Sequence, residues 1–543
     1  MSVPSVTWRD EHPGNDLMKR VRRGATLILA LGLIAAACGD DGGGGSGGAS
    51  TGTTGSSSGA TATGATGTGA SGAAKGVFAT DPRGGIYDAF QKTFDRSKDP
   101  FSSLTEFCTS NPAAANRKAT DAVSADSIVI VNLRTKLEQL EKIGFALPLG
   151  DNNEMYRTFF TYINEKCGGI RGRKIDYKIV EVNSQSTTLD ADRRAACIAV
   201  TEDLKAPIAV NSTGFAGTGL QCLTIEHDTI FITSTSDTNQ TTIDSKGRMT
   251  SIAPTLSEYT KNLGDDLVKQ GTLTGKRIAV VYPDTPGYPE AIKEGLIASL
   301  KKAGLNIVQE DVIGCKGGSS CGDGTPASVD KLISNKIDVL FPALNVVSLP
   351  GYLKEMATKG IKNGQIQMYQ SNYNSQAGDL VSSKIVDFGG AEAAALYNGT
   401  IAIDTTPTGD YRGTDFKKSE WNTMCEKVYS ENNKVGEKFD LTIETENSQA
   451  GAVGSACTFA RLAARIVYLA GENPTRADLL KAKENIGAVD SNAQIPATFK
   501  PGKLSGWDML FTLKWNSPCP GTKTPDKVKT CFTVVGTGRA IAR

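Results

Sequence analysis

From residue 127 onward, short apolar, β-branched runs alternate with stretches whose apolar positions recur every three or four residues. Runs at 127–131, 176–182, 207–212, 229–233, 277–282, 306–313, 339–343 and 365–369 predict strands. Helical periodicity predicts helices over 153–165, 189–204, 257–270, 289–303 and 349–359. The strands read as continuous apolar runs, which is the pattern of parallel strands covered on both faces by crossover helices. One sheet of so many strands is unusual, so the expected fold class is α/β with two doubly wound parallel-sheet lobes. Helices over 415–432, 450–470 and 476–484, then a closing antiparallel pair at 509–515 and 531–535, end the chain. Residues 77–118 are irregular, with one helix expected over 87–94.

Upstream the pattern changes. Lys19, Arg20, Arg22 and Arg23 precede an uncharged apolar run at 25–37. A bilayer span needs roughly 20 apolar residues, so the run fits the core of a secretory signal, with Met18 as the expected start. It ends Leu33-Ile34-Ala35-Ala36-Ala37-Cys38-Gly39. Small residues before a cysteine resemble the lipobox of bacterial lipoproteins, which implies lipidation of Cys38; a plain signal cut after Ala-x-Ala is the alternative. Residues 39–75 are almost all Gly, Ser, Thr and Ala and cannot bury enough surface to fold. They predict a flexible tether with an r.m.s. reach of roughly 30–35 Å. The expected location is therefore the outer face of a cell membrane, held by lipid.

Composition removes several classes of function. Lys and Arg number 59 against 58 Asp and Glu, a net charge of +1 that argues against nucleic-acid binding. Of the two histidines, His12 and His227, only His227 lies in the exported body, in the polar turn Glu226-His227-Asp228. No Cys-x-x-Cys or zinc spacing occurs, no phosphate loop or dinucleotide fingerprint is complete, and Gly454-Ser455-Ala456-Cys457 is not a nucleophile elbow. Neither a metal, nor a cofactor, nor catalysis is expected. Eleven cysteines favour an oxidising compartment. Ten remain without Cys38, and sequence alone does not fix their connectivity. The pairs suggested by local loops and neighbouring elements are Cys315–Cys321, Cys519–Cys531, Cys197–Cys222 and Cys425–Cys457, leaving Cys108–Cys167 to pin residues 76–125 to the first lobe.

The string Asn164-Glu165-Lys166-Cys167-Gly168-Gly169-Ile170-Arg171-Gly172-Arg173-Lys174-Ile175 resembles the signature of type I periplasmic binding proteins of the leucine/isoleucine/valine-binding group. Three later stretches follow in that family's order: 275–284 continuing to Gly287-Tyr288, 294–307, and 338–361. The resemblance implies two lobes joined by three hinge crossovers and closing on a small ligand. Lobe one would comprise 126–255 plus about 394–500, and lobe two 256–393 plus about 501–543. Open α/β sheets bind ligands beyond the carboxyl ends of their strands. There the family places loops that here hold Ser212, Thr213, Gly214 and Phe215, then Thr235, Ser236 and Asp237, with Tyr288, Asn345 and Gln370 from lobe two. Taken one at a time, such residues serve equally well as turns and helix caps.

One departure bears on the ligand. Amino-acid binders hold the ammonium with a carboxylate, but Met368-Tyr369-Gln370-Ser371-Asn372 has none, and Asp237 would repel a ligand carboxylate. A standard α-amino acid is therefore disfavoured, although amino-acid transport is what the family implies. The expected function is a solute-binding lipoprotein of an ABC importer, taking a small polar molecule (an amino acid, amide or similar) and delivering it to a membrane permease. The alternative is a sensing or interaction protein of the envelope on the same fold; an envelope hydrolase rests only on export plus a cleft.

Overall fold

The computed structural model describes residues 104–109 and 114–541, apart from 144–145, 184–185, 187, 212–214, 216, 235–237, 317–319, 374–375, 414–415, 417 and 494–496. The expected signal, Cys38 with its expected lipidation, the expected tether and the helix expected over 87–94 all lie outside the described residues.

Two sheets form the body. The first contains β1 (Ser127–Lys136), β2 (Lys174–Asn183), β3 (Ile208–Asn211), β4 (Ile230–Thr233) and β5 (Met249–Ser251), in the order β2-β1-β3-β4-β5. All four pairings are parallel. The second contains β6 (Ile278–Pro283), β7 (Ile307–Ile313), β8 (Val339–Pro342), β9 (Gln367–Ser371), β10 (Ile401–Asp404), β13 (Met509–Asn516) and β14 (Cys531–Ala540), in the order β14-β13-β10-β9-β8-β6-β7. Strands β6 to β10 are parallel, and β13 and β14 close the edge antiparallel. A small pair, β11 (Gly487–Val489) and β12 (Ala497–Phe499), stands apart.

Alternation along β1 shows why its run is apolar throughout. Ile128 and Ile130 pack in the core with Phe159 and Ile163 of the helix Asn152–Cys167, while Val131 and Leu133 pack with Cys197 and Val200 on the other face. A strand buried on both faces has no polar side to show. The helix Asn447–Leu469 is long and apolar enough to cross a membrane, but here it is a core helix, with 78% of its most apolar stretch buried, packed on the helix Asn152–Cys167 and on β3 and β4.

The glycine-rich turn after Asn152–Cys167 is dictated by space. Gly169 has φ 91°, and a Cβ there would stand 2.0 Å from the carbonyl oxygen of Arg173. That approach lets Ile170 and Arg173 exchange backbone bonds of 2.8 and 3.0 Å. Arg173 then turns inward, donating to the carbonyls of Ser124 and Lys118 and to Asn473 Oδ1 at 2.9, 3.0 and 2.8 Å. Its side chain thus gathers the N-terminal segment and the end of the long helix.

Two boundaries differ from expectation. The segment 401–404, assigned to lobe one by the sequence, is β10 of the second sheet, paired with β9 and β13. Lobe two therefore runs on to Asp404, because Ile401-Ala402-Ile403 supplies a short buried strand that fills the gap between them. The helix expected from 415 begins at Glu420, where the Ser419 hydroxyl accepts from Asn422 N at 3.1 Å and fixes the start.

Among the described residues there are five disulfides: Cys108–Cys167, Cys197–Cys222, Cys315–Cys321, Cys425–Cys457 and Cys519–Cys531. The first has a sequence separation of 59 residues. Chain-entropy arithmetic assigns such a closure about 4 kcal/mol. The double substitution Cys108→Ala/Cys167→Ala is expected to lower unfolding free energy in urea by roughly 2–4 kcal/mol; an unchanged midpoint would show that the segment 104–125 docks without it.

Candidate functional site

Parallel strands all end at one edge, so the carboxyl ends of β1, β3 and β4 gather there. The N-terminus of Asn447–Leu469 reaches the same edge, because its far end lies by the start of β2, where Arg171 Nε donates to the Tyr468 carbonyl at 2.8 Å. Between them lies a cavity of about 240 Å³. Arg134, Glu138, Asn152, Ser234 and Ser448 supply its polar lining, and Leu137, Leu147, Leu149 and Ala452 its apolar wall.

Arg134 stands at the carboxyl end of β1, on the face that Ile128 and Ile130 turn to the helices. It is 7% exposed. Its Nε donates to Glu181 Oε1 at 2.9 Å and its Nη2 to Glu138 Oε1 at 2.6 Å. Glu181 also pairs with Lys136 Nζ at 2.6 Å and accepts from Asn153 Nδ2 at 3.0 Å. Burial works against the guanidinium's charge, but the two carboxylates outweigh it and keep its pKa above the ordinary value. The same contacts outweigh burial at Glu181 and hold its carboxyl below the usual range.

Of the ligand residues expected from sequence, Ser212, Thr213, Gly214, Thr235, Ser236 and Asp237 lie outside the described residues, although Ser234, just before the second loop, lines the cavity. The Phe215 ring is buried in lobe one against Phe231, centroids 6.0 Å apart. Tyr288 is half-buried at the first position of the helix Tyr288–Ile292. Asn345 closes the turn before the helix Leu349–Thr358, its Oδ1 accepting from Val347 N and Ser348 N at 3.1 and 2.9 Å. Gln370 is buried, donating to the Pro342 carbonyl at 2.9 Å and accepting from the Tyr373 hydroxyl. Each of these four is engaged within its own lobe. Sequence reasoning missed Arg134 and Ser448; the signal for Arg134 was a charge inside an apolar strand run.

Three chain crossings join the lobes, after Ser251, after Asp404 and after Ser505. The first and third run side by side: Gly506 N donates to the Ser251 carbonyl at 2.9 Å, and Trp507 N to that of Ile252 at 3.0 Å. A charged cluster spans the lobes beside them. Arg412, on the second crossing, pairs with Asp379 of lobe two at 2.6 Å and with Glu444 of lobe one at 2.7 Å. Glu444 Oε2 also accepts from Thr522 Oγ1, Lys523 N, Thr524 N and Thr524 Oγ1 at 2.7–3.2 Å, all on the β13–β14 loop of lobe two. These donors overcome burial and hold the Glu444 carboxyl at about 2. Gly409 allows the approach, since a Cβ there would lie 2.1 Å from the Phe532 carbonyl oxygen.

Residues 154–504 match the periplasmic binding protein family, and the chain belongs to it, in its leucine/isoleucine/valine-binding-like branch. The family is one of binding proteins, not enzymes. Among solved structures, a solute-binding protein of an ABC transporter from Rhodopseudomonas palustris BisB5 is 14% identical, with a TM-score of 0.53, covering 76% of this chain and 97% of that one. A fatty acid ABC transporter substrate-binding protein from Thermomonospora curvata is 13% identical, with a TM-score of 0.54 and coverages of 79% and 96%. A type 1 periplasmic binding protein from Bordetella pertussis Tohama I is 16% identical, with a TM-score of 0.55 and coverages of 76% and 100%. No curated protein matches the chain.

Asp404 makes the second crossing sensitive to pH. It is fully buried, accepting from Thr405 N at 2.6 Å and Asn372 Nδ2 at 3.0 Å. Burial outweighs these bonds and raises its pKa from 3.8 to about 6. Between those values the native state binds more protons than the unfolded chain, so stability present below pH 4 is lost as pH rises through 6. The loss from this one group is on the order of 2–3 kcal/mol. Urea unfolding from pH 4 to 8 is expected to show that decline in the parent and not in Asp404→Asn; equal slopes would refute the assignment.

Proposed function

We propose that the chain is the solute-capturing component of an ABC importer: exported, anchored through Cys38, and delivering a small organic molecule from its interlobe cleft to a membrane permease. The observation that carries this reading is the pairing of two parallel-sheet lobes, joined at three crossings, with a cavity at the carboxyl edge of lobe one. Hinged lobes of this kind bind by closing on a guest. The structural neighbours support the same reading, and several are described with carboxylic acids: 3,4-dihydroxybenzoic acid and 4-hydroxybenzoate for R. palustris proteins, and fatty acid for that of T. curvata. Their ligands turn attention from amino acids and amides toward organic acids.

Two measurements test the proposal. Purified protein is expected to be stabilised by its solute by RT ln(1 + [L]/Kd), about 2.7 kcal/mol at a hundredfold excess over Kd. Silence across a panel of organic acids, amino acids, amides and ureas would refute solute capture. Separately, Cys38→Ala is expected to move the protein from the membrane to the soluble fraction; continued membrane retention would refute the lipid anchor.

A further inference from the structure

We propose that the cavity at Arg134 takes a small monocarboxylic acid with an apolar body, its carboxylate on the guanidinium and its hydrocarbon against Leu137, Leu147 and Leu149. This rests on the solute-capture reading and names the class of solute.

Charge is the first argument. Arg134 carries a permanent positive charge in an almost water-free position, and guanidinium forks match carboxylates in geometry. Its two partners differ in kind. Glu181 is shared with Lys136 and Asn153 and belongs to the sheet. Glu138 sits on the β1 extension with its side chain 54% exposed, and it lines the same cavity. Glu138 therefore acts as an internal stand-in: a carboxylate already on Arg134, with access to water, which a guest carboxylate can replace without stranding a buried charge. Among the described residues the guanidinium bonds only through Nε and Nη2, which leaves Nη1 for the guest.

The second argument is the long helix. Ser448 lines the cavity in the first turn of Asn447–Leu469, and Glu446 at its cap position makes no side-chain capping bond. The positive end of a 23-residue helix thus adjoins Arg134. Both favour an anion and disfavour an ammonium. The third is size and wall. A dry apolar cavity of about 150 Å³ admits benzene, so about 240 Å³ with three leucines on one side suits a single ring or a short alkyl chain bearing one acid group.

The test is calorimetric titration of the purified full-length chain in detergent with benzoate, hexanoate, benzamide, hexanamide and leucine. The acids are expected to bind at least about tenfold more tightly than their amides, the scale of a charge-assisted hydrogen bond. Glu138→Gln removes the competitor and is expected to tighten acid binding several-fold. Arg134→Gln is expected to abolish it. Because Arg134→Gln could also disturb β1, Ser448→Asp serves as the second variant: an acidic residue suits a helix N-terminus, so melting is preserved while acid binding falls at least about tenfold. Amides binding as well as acids, or leucine binding more tightly than hexanoate, would overturn the assignment and leave solute capture standing. Silence toward all five, and toward the broader panel, would end both.

Discussion

A parallel sheet imposes one constraint from which the rest of this molecule follows: its strands all finish at the same edge. Each return journey must cross a face as a helix, so both faces are covered and the strands become apolar throughout. In the interior strand β1, polar residues appear where the strand stops, whereas the edge strands β2 and β7 keep charged residues along their length. In β1 the run Ser-Ile-Val-Ile-Val-Asn-Leu-Arg turns polar at Asn132 and Arg134, at the carboxyl end, where the covering helices run out. The charge that defines the cavity is thus placed by topology. Asn447–Leu469 adds its own end to the same edge because its 23 residues run the full depth of lobe one.

The lobes are held by more than their three crossings. Glu444 collects donors from three consecutive residues of lobe two while it shares Arg412 with Asp379. Partly buried charges of this kind need every partner in place, since removing one strands the others. The Cys519–Cys531 disulfide closes the loop that presents Thr522 and Thr524, which limits how far those donors can wander. Separating the lobes on that side would break the Arg412 and Glu444 contacts that bridge them.

Much of the framework was legible because the patterns were local. The run at 127–131 and the helix at 153–165 announce themselves in a dozen residues. The glycine string 168–172 could be read because Gly169 meets a steric demand of its own turn. The disulfide pairs were legible where the intervening chain is short, as in Cys315–Cys321. What escaped depends on distant partners. Ile401–Asp404 is too short to identify as a strand until β9 and β13 stand beside it. The cavity joins Arg134, Leu137, Leu147 and Leu149 to Ser448, about 300 residues downstream, and nothing local to any of them advertises the meeting. Asn345 and Gln370 lie at strand ends, and their amides bond within lobe two in this structure.

The described chain enters beside Cys108, whose disulfide to Cys167 sits at the end of a helix that runs away from the cavity. A force applied at the N-terminal end of the described chain would meet this covalent bond before it reached β1. The Cys108–Cys167 bond and the candidate cavity thus sit at opposite ends of one helix and do not compete for the same surface of lobe one.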